Sequence, residues 1–193
     1  MKPEGVLFQT GYLTIDKMQI TPFQSIEYKL RIPNKEVRMS LYEYILESVL
    51  KWVEHKQIRV NIYNVLQKWD LEWLKQEIER LFASIPYNNF TKNNMAEYEW
   101  FYASILYAYL QSLGYEIIWE DTSNVWRADL VMIMEEAIYI FEIKTDSKEP
   151  PIKQIEERQY YKKYENLWKK IYLVWINFDS KKRNIKDFDW KEK

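Results

Sequence analysis

Cysteine is absent from this 193-residue chain, glycine occurs three times and histidine once. Each scarcity closes off a chemistry. Without Cys there is no disulfide, thiolate nucleophile or Cys-based zinc site, and the composition suits a reducing cytoplasm. The lone His55 excludes His-cluster metal centres and leaves no basis for a His-centred triad; it reads as a surface residue at a helix end, with no role assigned. Three glycines can hardly furnish a Gly-x-x-x-x-Gly-Lys-Ser/Thr phosphate loop, and none is present. Met1–Thr10 lacks the basic-then-apolar order of a secretory leader. No apolar run approaches the ~20 residues needed to cross a bilayer, so no membrane association is expected. The net charge of −1 gives no overall bias toward a polyanion.

What is present is apolar and aromatic. Hydrophobic residues make up 47% and aromatics 17%, enough for a real core in one or two small domains. Charge is unevenly spread. Residues 151–193 carry 12 Lys/Arg against 7 Asp/Glu, a net of +5, whereas residues 1–150 carry 16 against 22, a net of −6. The basic quarter either contacts phosphate, through Lys162, Lys163, Lys169 and Lys170, or is solvated lysine surface.

The chain is organised around Arg127–Lys144. Two apolar runs flank Glu135-Glu136, which predicts a β-hairpin with a tight turn. Alternation sets Asp129, Val131 and Ile133 on one face of the first strand, and Glu142 with Lys144 on one face of the second. An acid opening one strand and Glu-x-Lys closing the next meet at the same end of the ribbon. Two carboxylates and an ammonium converging there suit a hard divalent cation with water beside it.

In chain order, Val6–Ile15 and Ile26–Pro33 read as two antiparallel strands. Asn34 caps a helix from Lys35 to about Glu54, and a second helix covers Ile58–Gln67. Asp70 caps a third, to about Ser84, with Leu71, Leu74, Ile78, Leu81 and Phe82 as its buried stripe. Ile85–Asn94, with Pro86 and four Asn, marks a boundary between a region 1–90 and a region 91–193. Beyond it come a helix Met95–Leu113 ended by Gly114, a strand Tyr115–Glu120 and the hairpin. A helix from Pro150-Pro151 to about Tyr164, a strand Lys170–Phe178 and an edge strand Arg183–Trp190 complete the order. The expected class is α/β (α+β), with a mixed sheet flanked by helices and preceded by a small hairpin and helical region.

That order, with Asp129 opening one core strand and Glu142-x-Lys144 ending the next, resembles the PD-(D/E)XK nuclease superfamily and its restriction-endonuclease-like αβββαβ core. Arg127-Ala128-Asp129-Leu130, Tyr139–Lys144, Gln154-Ile155 with Tyr160, and Ile176–Asp179 with Arg183-Asn184-Ile185 look like the nuclease domain that follows a AAA-type ATPase domain in a prokaryotic family. Leu7–Ile15, Pro33–Arg38 and Phe82–Tyr87 are similar to that family's linking region. The ATPase domain itself is missing here, Ala103 stands where a His is common, and Trp126 replaces a frequent Gly. The resemblance implies Mg²⁺, with Mn²⁺ as substitute, held by Asp129, Glu142 and the Ile143 carbonyl. Glu99, preferred to Glu97, would bind through water or hold a second ion. Lys144 would orient water or offset phosphate charge, and Gln154, supported by Tyr160 or Tyr161, would fix Lys144 or contact the backbone. Arg127 would contact phosphate or pair with an acid. The implied substrate is nucleic acid, DNA by expectation; the implied partners are a AAA-type ATPase domain in cis or trans and a second copy of the chain. The alternative is a catalytically inactive module of the same fold that binds nucleic acid or protein.

Overall fold

A computed structural model describes residues 2–50, 52–86, 98–122, 127–148 and 159–193. A short helix α1 (Pro3–Gln9) leads into a two-stranded ribbon of β1 (Thr14–Ile20) and β2 (Ile26–Arg31). The expected strand Val6–Ile15 is therefore mostly helix: Pro3 occupies the first turn, where its missing N–H costs nothing, and the strand begins only after Gly11 turns the chain at φ +82°. Cross-strand pairs Ile15–Leu30, Met18–Tyr28 and Ile20–Ile26 form an apolar ladder, kept in phase by a bulge at Asp16. Gln19–Glu27 and the ion pairs of Asp16 with Lys29 and Arg31 make the polar counterpart.

Three helices follow: α2 (Lys35–Glu47), α3 (Trp52–Lys68) and α4 (Leu71–Ala83). The expected helix to Glu54 breaks after Glu47, where Ser48 turns its hydroxyl back to the Ile45 carbonyl, and a new helix starts at Trp52. The side chain of His55 lies outside the described residues. Asn34 and Asp70 cap as expected, accepting from the Val37 and Trp73 backbone N–H groups at 2.9 and 3.1 Å. The α4 stripe is buried as its spacing requires.

Helix α5 (Glu99–Ser112) is apolar almost all round, as befits a helix buried on more than one side. It contacts α2 on one side and the sheet on the other. Gly114, at φ +84°, ends it as expected. The sheet has the order β3-β4-β5-β6-β7, from β3 (Glu116–Thr122), β4 (Arg127–Ile133), β5 (Ala137–Thr145), β6 (Lys170–Asp179) and β7 (Asn184–Glu192). Among the described strands of this sheet, β5 and β6 pair in parallel and the other neighbours pair antiparallel. The structure is thus a mixed α/β fold with a five-stranded sheet flanked by helices, consistent with the restriction-endonuclease-like architecture. One apolar core runs from Leu46 through α3, α4 and α5 to Phe178; a second lies across Val131, Ile138, Ile140, Leu173 and Trp175. The expected break at Ile85–Asn94 and the helix after Pro151 fall largely on residues 87–97 and 149–158, outside those described. From Tyr160 the described chain forms 3₁₀ turns rather than α-helix.

Candidate active site

The polypeptide reverses so that four element ends coincide: the start of α5, the end of β3, the start of β4 and the end of β5. Register explains what gathers there. Trp119↔Leu130 and Asp121↔Ala128 bracket Glu120, which leaves the regular strand conformation at φ +49°, and the β4–β5 pairing stops at Leu130↔Phe141, one step before Asp129 and Glu142. The acids therefore gather where the regular pairing ends. The Ile143 N–H donates to Asp129 Oδ2 at 2.8 Å, which ties the carboxylate to β5. Lys144 Nζ lies 3.0 Å from Glu142 Oε1 and 3.6 Å from Glu99 Oε2.

Burial grades across this cluster. The Glu142 side chain is 2% exposed, Lys144 18% and Glu99 49%. Across the parallel pair, Glu142 is level with buried Trp175 and Lys144 with buried Asn177, so the inner charges face apolar and amide surroundings where Coulomb forces are strong. Burial alone would lower the pKa of Lys144. The charges of Glu142, Asp129 and Glu99, with the Glu142 hydrogen bond, outweigh that and raise it above the usual lysine range. The neighbouring carboxylates therefore favour the ammonium form of Lys144.

Asn177 braces the exit of β5. Its side chain donates to the Ser147 carbonyl and Asp187, and accepts from the Ser147 N–H, all at 3.0 Å. Hydrogen bonds from Ser180 hold the Asp146 carboxyl below its ordinary range. Asp179 accepts from the N–H groups of Lys181 and Lys182 and shapes the turn into β7. The Ile176–Asp179 and Arg183–Ile185 segments, noted in the sequence, are structural supports for the strand that carries Glu142 and Lys144.

Of the expected site residues, Asp129, Glu142, Ile143, Lys144 and Glu99 come together. Gln154 and Glu97 lie outside the described residues, as does the side chain of Arg127. Lys163 pairs with Asp121, whose other oxygen accepts from the Tyr164 hydroxyl, while Lys162 is exposed. Lys169 donates to the Met134 carbonyl and Lys170 sits over the Trp69 ring, both at the opposite end of the sheet. Those two lysines do not line the site. A cleft of about 430 Å³ adjoins the acids, lined among others by Tyr98, Trp100, Trp119 and Glu120. The sequence offers no signal for Tyr98, Trp100 or Glu120, and it leaves Trp119, like Trp126, Trp168 and Trp175, open between stacking on bases and the favoured packing in the core or sheet. Core and surface aromatics look alike in a sequence.

The donor set suits a hard cation: three carboxylates surround one ammonium, leaving excess negative charge in a small volume. Among the described residues no three His, Cys, Asp or Glu side chains stand close enough together to hold a metal ion between them.

Residues 97–188 match the family model of the PD-(D/E)XK nuclease superfamily. The chain is 31% identical over 189 residues to a protein from Azotobacter chroococcum mcd 1 described as "Uncharacterized protein in vnfD 5'region". That alignment covers 96% of this chain and 36% of the relative, so the chain spans about a third of the relative's length. No solved structure matches.

Proposed function

Because residues 97–188 belong to the PD-(D/E)XK nuclease superfamily, we propose that the protein is a divalent-metal-dependent nuclease that hydrolyses phosphodiester bonds, with DNA as its substrate. The observation that supports this reading is the meeting of Asp129, Glu142 and Glu99 around the Lys144 ammonium. Asp129, Glu142 and the Ile143 carbonyl would hold Mg²⁺ or Mn²⁺, with Glu99 at its outer side. Held there, the ion supplies a Lewis acid that makes water more acidic and draws charge from the phosphate. Lys144, kept protonated, places a fixed positive charge where the phosphorane oxygens become more negative. The water oxygen bonds to phosphorus and gives up one proton as one P–O ester bond breaks, and the departing oxygen takes up one proton, so the proton count is unchanged. Asp129, tied to the Ile143 N–H, is held in place before substrate arrives. For residues 1–90 the proposed partner is a AAA-type ATPase domain in cis or trans, and unchanged elution on mixing the two in sizing chromatography would count against it.

The test is Mg²⁺- or Mn²⁺-dependent nicking of plasmid and single-stranded DNA by the wild type, Asp129→Ala and Lys144→Ala. Each substitution is expected to lower cleavage about 100-fold or more, the scale of losing one preorganised transition-state partner. Equal activity in all three would mean a contaminating nuclease and end the enzyme reading. Binding without cleavage would identify an inactive module of the same fold.

A further inference from the structure

The cleft beside the acids offers more than a place for a phosphate backbone. Trp100, one residue after Glu99 in the first turn of α5, is 52% exposed; Tyr98 is 50% and Trp119 37% exposed. All three line the same cleft as Asp129 and Glu99. The rings of Tyr98 and Trp100 lie 28° from parallel with centroids 6.4 Å apart, so a flat ring laid on either would continue a common stack. Trp119 is held edge-on by Tyr107, with centroids 5.4 Å apart and planes at 83°, which fixes its orientation before any ligand arrives. Ala103, small and buried at the cleft wall, leaves the space between them open.

Exposed tryptophan forgoes the burial that normally stabilises it, so three large rings in one concavity call for a flat apolar ligand. The charge of the lining narrows the choice. Among the described residues that line the cleft, the charged ones are Glu99, Glu120 and Asp129, and none is Lys or Arg. A duplex would bring its phosphates and groove edges to this surface and keep its base faces hidden in the stack. A single strand offers base faces, and stacking on aromatic rings is indifferent to sequence. The volume of about 430 Å³ falls within the range of small-ligand pockets, about 300–1,000 Å³, and is far too small for a turn of double helix.

We propose that Tyr98, Trp100 and Trp119 form a base-stacking subsite, so that the strand reaching Asp129 and Glu142 is single-stranded nucleic acid with its bases unstacked. The assignment of that strand as substrate rests on the nuclease reading; the stacking itself does not. Deoxyribose and ribose strands share the base faces on which recognition depends.

The test measures binding of the full chain, in Ca²⁺ and in the Glu142→Gln background, to labelled oligonucleotides of one length. The probes are a deoxy single strand, its ribo counterpart, the matching blunt duplex and a base-free strand of abasic units. The single strand is expected to bind at least about tenfold more tightly than the duplex or the base-free strand. Trp100→Ala is expected to lose about tenfold or more and Trp100→Phe to recover most of it, whereas Trp168→Ala, at an exposed tryptophan that does not line the cleft, leaves affinity unchanged. The deoxy and ribo arms tell DNA from RNA. Equal affinity for normal and base-free strands, or equal losses in Trp100→Ala and Trp168→Ala, would overturn the subsite. Metal-dependent duplex cleavage that ignores Trp100 would sink the subsite while sparing the nuclease. Stacking on single strands without cleavage by the wild type would do the reverse.

Discussion

Two of the antiparallel strand pairs, β1–β2 and β4–β5, share a similar design and meet opposite fates. The β1–β2 ribbon carries an apolar ladder of Ile, Met, Tyr and Leu opposite a polar row, and nearly all of it is exposed. The β4–β5 ribbon carries Leu130, Met132, Tyr139 and Phe141 toward one core and Val131, Ile138 and Ile140 toward another. Its charges lie at one end, half-sheltered, instead of along a solvated face. Alternation gave both ribbons two chemical faces; only the second has α5 on one side and β6 beside it. An apolar face becomes a core when another layer covers it.

If that comparison is right, equivalent substitutions should have unequal consequences. The largest contrast is in packing. Phe141→Ala, which removes a fully buried ring stacked near Tyr139, is expected to cost about 3–5 kcal/mol, whereas Tyr28→Ala should stay within about 0.5 kcal/mol. Urea unfolding of both variants checks it, and similar losses would mean that the N-terminal ribbon is covered in solution.

The next contrast is electrostatic. Lys144→Ala leaves three carboxylates without their shared ammonium and is expected to destabilise by about 1–3 kcal/mol. Lys29→Ala, which breaks an exposed pair at 3.8 Å with Asp16, should change stability by less than about 1 kcal/mol. Thermal unfolding with and without Mg²⁺ sharpens this further: cation binding should stabilise the Lys144 variant, because the ion would offset the charge that the lysine had balanced.

The smallest effect near neutral pH concerns the tyrosines packed around the central ribbon. Burial pushes Tyr102 and Tyr115 up to about 12, and pushes Tyr139 up as well. Their folded-state pKa values exceed the unfolded value of about 10, so the folded chain holds these protons more tightly. Their contribution is complete below about pH 10 and is lost as pH rises from there toward about 12. Tyrosinate absorbance and stability measured across that window should change together; full ionisation of every tyrosine near pH 10 with the fold intact would contradict the burial described.

Much of this could be read from residue order. The caps at Asn34 and Asp70, the α4 stripe, the turn at Glu135-Glu136 and the alternation around Asp129, Glu142 and Lys144 are local signals, set by neighbours within about one turn of helix or one pleat of strand. The misread segments had local ambiguity of a definite kind. Val6–Ile15 alternates well enough for a strand, yet Pro3 and the φ +82° turn at Gly11 favour a helix before it. Lys35–Glu54 keeps helical spacing across a break that a single Ser48 hydroxyl helps to make.

What sequence alone determined, then, was which residues share a face: period two put Glu142 and Lys144 on one face of a strand, and period 3.6 put the α4 apolar residues in a stripe. What only the tertiary structure decided was which faces meet. Glu99 approaches Lys144 because α5 starts where β5 ends, Asn177 locks the β5 exit from a strand thirty residues on, and Trp100 remains exposed at the start of a helix whose later turns are mostly buried. The physical reason is range. Backbone geometry and side-chain periodicity act over a few residues, whereas burial and the field at a charged group depend on segments that only folding brings together.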